Sequence, residues 1–255
     1  MSNKKFEEFR KRLLRINTRE ELINFLSSFS QKQIFEIESN DPQFISLKKL
    51  YKRFKNTKAL ESKFLTSIVI NALLSFQLSS TGENYWKEFS EQIDITKDTE
   101  QSFYLFLNSS ICNKRLRNIK VKRLEKVKDL TINLDFYSKS GLIELKKHLE
   151  QRLRPGKTIN FAIKMYCYGG RIITNNYFQF PFEIEIPLDS RILKFTKQFI
   201  NYSTKKEVLD FWKNISLETN IPQLHIDSLI WNFLRKDKKQ KKKNKEKKIT
   251  SFLFF

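Results

Sequence analysis

The sequence predicts an all-α protein. Apolar residues recur at three- and four-residue spacing along most of the 255 residues. Helix-start signals stand in front of several of these runs. Only five glycines and five prolines are present, which leaves little room for a β fold of many turns. Apolar residues make up 40% of the chain and 24 are Phe, so it can bury a core and is no disordered polycation.

Phe6, Phe9, Leu13 and Ile16 fall on one helical face, and Leu22, Phe25, Leu26 and Phe29 on another. Thr18 and Glu21 stand in capping-box relation before the second run. Asp41-Pro42, an N-cap followed by a first-turn proline, opens a helix through Tyr51. The most hydrophobic stretch, Ala59 to Leu78, reads as a long central helix that Gly82 breaks before a short helix carrying Trp86 and Phe89. Helices follow around Phe103–Leu107 and Leu116–Val127. Arg154-Pro155-Gly156 ends one helix and Lys157 begins the next. Tyr177 to Pro187 alternates and holds two prolines, so it reads as an extended connection between helices. Helices then span Ser190–Ile200, Lys205–Leu217 (with Thr204 and Glu207 as a second capping box) and Leu224–Leu234.

Lys and Arg total 49 against 28 Asp and Glu, a net charge of +21, which points to a polyanionic partner. From Arg235 to Lys248, ten basic residues face two acidic ones, a block that repels itself and stays solvated as a linker. Most of the positive charge therefore lies on the body, residues 1–234. The chain closes on an apolar peptide, 249–255. Two cysteines, Cys112 and Cys167, exclude a disulfide scaffold and a four-cysteine metal site, and His148 and His225 lie in no metal-binding motif, so no metal or cofactor is expected. Met1-Ser2-Asn3-Lys4-Lys5 runs straight into a charged amphipathic stretch, and no apolar run is long enough to span a bilayer. A soluble, cytoplasmic, nucleoid-associated monomer is the expectation.

Three segments could carry chemistry. Lys157 follows Pro155-Gly156; it is either the first residue of a helix after a turn, or an amine whose neutral, nucleophilic form the positive end of the helix dipole favours. A phosphate loop is excluded, since that motif needs Gly where Gln151 stands. In Pro187-Leu188-Asp189-Ser190, Asp189 is either a simple N-cap or a fixed anion suited to a cationic transition state. Asp227 and Trp231 lie four apart on one helix face, as an ordinary surface charge beside a core indole or as a carboxylate and a flat ring that grip a heterocycle. His225 reads as structural. Lys164 and Arg191 are candidates for contact with the phosphates of a polyanionic partner, or solvated charges.

Taken together and in order, these segments resemble one family. The blocks are Asp41-Pro42-Gln43, Ala72 through Leu78 followed by Gly82-Glu83-Asn84-Tyr85-Trp86, Lys157-Thr158 with Phe161 to Lys164, Pro181-Phe182 through Asp189, and Ile221-Pro222 through Trp231. They resemble the archaeal 8-oxoguanine DNA glycosylase/lyases, a branch of the helix–hairpin–helix glycosylases. The resemblance implies two packed helical subdomains with a helix–hairpin–helix element and an active-site cleft between them. It implies Lys157 as nucleophile, Asp189 as its essential partner, and Gln43, Trp86, Phe161, Asp227 and Trp231 as the pocket for a flipped base. The implied reaction removes 8-oxoguanine from double-stranded, and also single-stranded, DNA through a lysine Schiff base and then nicks the strand by β-elimination. A same-fold glycosylase for another lesion, or a non-catalytic basic nucleic-acid-binding protein, would share the composition. Ile249, Phe252 and Leu253, with Phe254 and Phe255 behind them, resemble the sliding-clamp-binding peptide that ends many repair proteins, with Glu246 in the slot of its usual Gln. A sticky solvated terminus is the alternative.

Overall fold

The computed structural model describes residues 3–54 and 57–234; the clamp-like peptide and its Lys-rich linker lie outside the described residues. Thirteen α-helices and no strand occur among them. They are α1 (Asn3–Leu13), α2 (Arg19–Ser27), α3 (Gln31–Ser39), α4 (Pro42–Arg53), α5 (Glu61–Leu74), α6 (Gly82–Gln92), α7 (Thr99–Ser109), α8 (Arg117–Leu124), α9 (Lys139–Arg152), α10 (Lys157–Thr174), α11 (Ser190–Thr196), α12 (Lys205–Thr219) and α13 (Gln223–Leu234). No helix of the described residues is long and apolar enough to cross a membrane.

Local chemistry sets most starts. Thr18 and Glu21 form the expected reciprocal capping box, and Asp41 accepts the Gln43 amide with Pro42 in the first turn of α4. A second complete box, Ser30 with Gln33, opens α3, which the apolar spacing did not reveal. Other boundaries differ from the sequence reading. α1 stops at Leu13, although Ile16 stays buried in the turn beyond it. The central helix ends at Leu74, not Leu78, because the chain turns through Gln77 in the left-handed region (φ 48°). Gly82 is no breaker: Thr81 caps α6, and Gly82 is its first residue. α8 ends at Leu124 and α11 at Thr196, both shorter than expected.

The helices pack around two apolar cores. One gathers side chains from Phe44 to Ile184, together with Leu224; the other joins Phe9–Ile37 to Ile186–Phe233. The middle of the chain is thus inserted between the two parts of the second core. α5 lies at the centre of the first, with every residue from Phe64 to Leu74 buried. Close approach there needs small residues. A Cβ on Gly141 would sit 2.6 Å from the Phe136 carbonyl oxygen, which the backbone cannot yield. Gly141→Ala should therefore lower the urea midpoint by the equivalent of about 1–3 kcal/mol.

A polar seam runs where the cores meet, and α10 carries it. Its residues Lys157, Phe161, Lys164, Tyr168 and Arg171 follow one another at four- and three-residue spacing, one face of the helix. Arg171 is fully enclosed, ion-paired to Glu38 of α3 and ringed by Phe35, Tyr168, Tyr177 and Phe180 at 5.1–5.6 Å. The other Glu38 oxygen takes His225 Nδ1 at 2.7 Å, while His225 Nε2 accepts the Phe180 amide. That pattern fixes His225 as the neutral Nδ1–H tautomer, and burial holds its pKa below the ordinary value. Burial would push the Glu38 carboxyl up, but Arg171 and His225 outweigh it and hold it at about 2.

Candidate active site

The α9–α10 joint is a four-residue turn, Leu153 to Gly156, whose last residue adopts φ +157°, a conformation open to glycine. No atom lies within 4 Å of where a Cβ would sit on Gly156, so its backbone, not space, requires glycine. The turn delivers Lys157 as the first residue of α10, exposed at the rim of a cavity of about 370 Å³. Across the chain, Asp189 caps α11: its Oδ1 accepts the Arg191 and Ile192 amides at 2.8 and 2.9 Å. Its Oδ2 takes no hydrogen bond among the described residues, and Asp189 lines the same cavity.

All seven residues singled out from the sequence line this one cavity: Gln43, Trp86, Lys157, Phe161, Asp189, Asp227 and Trp231. They come from α4, α6, α10, α11 and α13, so both cores contribute. Gln43 is buried beside Gly82, against which Trp231 also packs. The rings are not parallel walls. Trp86 is fully enclosed and meets Phe161 edge to face at 6.1 Å, buttressing the half-exposed Phe161. Trp231 carries the Arg191 guanidinium on one face at 4.5 Å.

One expectation needs correction: Lys164 is no phosphate contact but a buried ammonium, 2.6 Å from Asp227 Oδ2. Arg191 stays partly exposed, its guanidinium over Trp231 and near Glu83. Lys164 lies two helical turns beyond Lys157 on α10, on the same face but enclosed. Burial pushes the Asp227 carboxyl up to about 6 against the pull of Lys164. Lys164 itself, drawn down by burial, is held above its ordinary value by Asp227 and Asp41. No group of three or more potential metal ligands occurs among the described residues.

An exposed amine and a capped carboxylate on one pocket, with aromatic, amide and carboxylate linings, suit covalent capture of a sugar carbon next to a bound heterocycle. The family model described as AGOG, N-glycosylase/DNA lyase, matches residues 23–253. The chain belongs to this family. Membership makes it an N-glycosylase/DNA lyase, an enzyme that separates base from sugar and cuts the strand. Among its relatives are proteins of that name from Methanococcus maripaludis, 37% identical over 209 residues (77% of this chain, 79% of the relative), and Thermococcus kodakarensis, 34% identical over 208 residues (77% and 76%). The fold matches an AGOG 8-oxoguanine DNA glycosylase from Pyrobaculum aerophilum, solved with 8-oxoguanosine, at a TM-score of 0.71 and 26% identity over 88% of this chain and 87% of that one.

Proposed function

We propose that this member of the family excises 8-oxoguanine through Lys157. The observation that carries the reading is that Lys157 and Asp189, 32 positions apart in the chain, line one cavity together with five groups suited to a purine. The solved relative with 8-oxoguanosine supports the choice of lesion.

A base inside a duplex is out of reach, so the nucleotide swings into the pocket. Phe161 and Trp231 offer it ring faces, where stacking contributes about 1–3 kcal/mol per base. Guanine and its oxidised form differ at N7, an acceptor in the first and a donor in the second; a buried acceptor facing that atom leaves guanine with two opposed lone pairs. Gln43 and Asp227 supply an amide and a carboxylate for the purine edge. The Lys157 amine, after giving up a proton, attacks C1′ as the N-glycosidic bond breaks and the base leaves. The free oxygen of Asp189 faces the cation that develops on the sugar, or takes the lysine proton. Loss of a second amine proton leaves an aminal; the sugar ring then opens, C1′–O4′ breaking as O4′ takes a proton, to give the protonated Schiff base, and removal of a C2′ proton expels the 3′ phosphate. An activated water would stop at base removal, whereas an amine leads on to the nick. The apolar end at Ile249, Phe252 and Leu253 completes the reading as a tether to a sliding clamp.

Borohydride tests the chemistry. With an 8-oxoguanine duplex it should yield a covalent protein–DNA adduct whose cross-linked peptide contains Lys157; an adduct mapped to another lysine overturns the assignment. A pH dependence also follows. The Asp227 carboxyl, at about 6, is protonated in more acid solution and then loses an acceptor. Single-turnover excision should fall about tenfold per pH unit below that value, the titration of a single group. In Asp227→Asn the rate is lower and this limb is absent.

A further inference from the structure

Lys164 is enclosed, and beyond the cavity one surface carries the charge that a DNA backbone would need. Between residues 114 and 126 stand Lys114, Arg115, Arg117, Lys122, Arg123 and Lys126, with Lys120 enclosed beneath them, against the single acid Glu125. Glu125 is already bound by Lys128 at 2.8 Å and by the Tyr104 hydroxyl. None of the seven cations has a carboxylate partner among the described residues. Ile119 and Lys122 are exposed three residues apart on α8, and the exposed Arg115 and Lys126 flank its two ends. Ile111, Leu116 and Ile119 are 67%, 45% and 51% exposed among these charges, which a merely solvated face would not need.

The surface is held rigid. Glu88 of α6 accepts the Ser110 hydroxyl at 2.7 Å and the Ile111 and Cys112 amides at 2.6 and 3.0 Å, so the turn before α8 is fixed from below. Leu116 is locked in the left-handed region at φ 54°, a strained choice for a bulky residue. It also adjoins the cavity. The Ser79 amide donates to the Cys112 carbonyl at 2.9 Å, and Ser80 beside it lines the pocket. Arg123 donates to Leu73 O at 3.0 Å and to the Thr158 hydroxyl at 3.3 Å, one residue from Lys157.

We propose that the turn before α8 and the exposed side of α8 form the surface that follows the DNA backbone next to the extruded nucleotide. Cations there take phosphates, and Ile111, Leu116 and Ile119 meet deoxyribose and base faces. This rests on the reading of the cavity as the lesion pocket. An eight-residue helix is about 12 Å long. At 3.4 Å per phosphate of one strand, that length faces roughly three or four phosphates.

The test uses the full chain and an undamaged duplex. A variant with Lys114, Arg115, Lys122 and Lys126 each changed to Gln is compared with one carrying Lys205→Gln, Lys206→Gln and Lys213→Gln on α12, which contributes nothing to the cavity. All seven positions are exposed, and a melting curve checks that each variant is folded. The plot of log affinity against log salt should become shallower by about 3 in the first variant, at about 0.9 per lost phosphate contact, and by less than about 1 in the second. Hydrogen exchange of the amides from 111 to 126 should slow when duplex binds. Equal slope changes in the two variants, or no protection of that segment, overturns the proposal. So does loss of binding to phosphatidylglycerol vesicles with the DNA slope intact, which would make the surface a membrane contact. Because no lesion is needed, a chain that nicks nothing yet shows the slope loss refutes the lysine chemistry and leaves this surface standing.

Discussion

Lys157→Gln should abolish the borohydride-trapped adduct and lower strand nicking at an 8-oxoguanine site by at least about a thousand-fold, the scale of losing a covalent nucleophile. The side chain is exposed at the first position of α10 and makes no ion pair among the described residues, so stability should move by less than about 0.5 kcal/mol. That separation gives the experiment its force: activity collapses while the unfolding midpoint holds. Glutamine keeps the length and the polarity and removes only the amine. Residual nicking within tenfold of the parent, in a chain of unchanged stability, removes Lys157 from the role. At Asp189, whose Oδ1 also caps α11, Asp189→Asn keeps a capping oxygen and removes only the anion.

The second large effect is on stability. Glu38→Gln leaves Arg171 charged, fully buried and without its counter-ion, and should cost about 3–5 kcal/mol in urea unfolding. The ring faces around Arg171 attract its charge but do not accept its remaining hydrogens, since Nε and Nη2 already lack partners. The pH dependence carries its own sign. The folded carboxyl sits at about 2, below its ordinary 4.5, so its contribution is fully present above 4.5 and is lost as pH falls toward 2. That shift corresponds to roughly 3 kcal/mol at about 1.4 kcal/mol per unit. In Glu38→Gln the loss of stability across this window should shrink by that amount. A variant as stable as the parent would show that the triad contributes nothing to joining the two cores.

What could be read from the sequence was local. Thr18 with Glu21, Asp41 with Pro42 and Thr204 with Glu207 announce helix starts because a cap bonds only to its own first turn. α3 went unread because Ile34 and Ile37 are too few to set a period, although Ser30 and Gln33 form a full box. The end of α5 was misplaced because Phe76 and Leu78 continue the apolar pattern through a turn whose geometry sits in Gln77. At the cavity, Lys157, Asp189, Asp227 and Trp231 stand out locally as candidates, Gln43, Trp86 and Phe161 come only from the resemblance, and the meeting of all seven at one place is a property of the fold. Lys164 was sorted outward on charge alone; its partner Asp227 stands 63 residues away, and no local rule reports such a pair. The Glu38 partners, 133 and 187 residues distant, were equally out of reach.

The inserted order of the two cores has a consequence for synthesis. Phe233, near the end of α13, packs against Phe6, Phe9, Phe25 and Phe29 with ring centroids 5.0–6.1 Å apart. Among the described helices α1 to α3 are made first, yet their apolar face is not closed until the segment from Ile186 through α13 emerges, roughly 150–200 residues later. At about 5–20 residues per second, that is a wait of tens of seconds. Meanwhile the inserted half, complete by Ile184 except for Leu224, can collapse alone. The nascent chain therefore carries a bare phenylalanine cluster through most of its birth, and a holding chaperone would find its grip there.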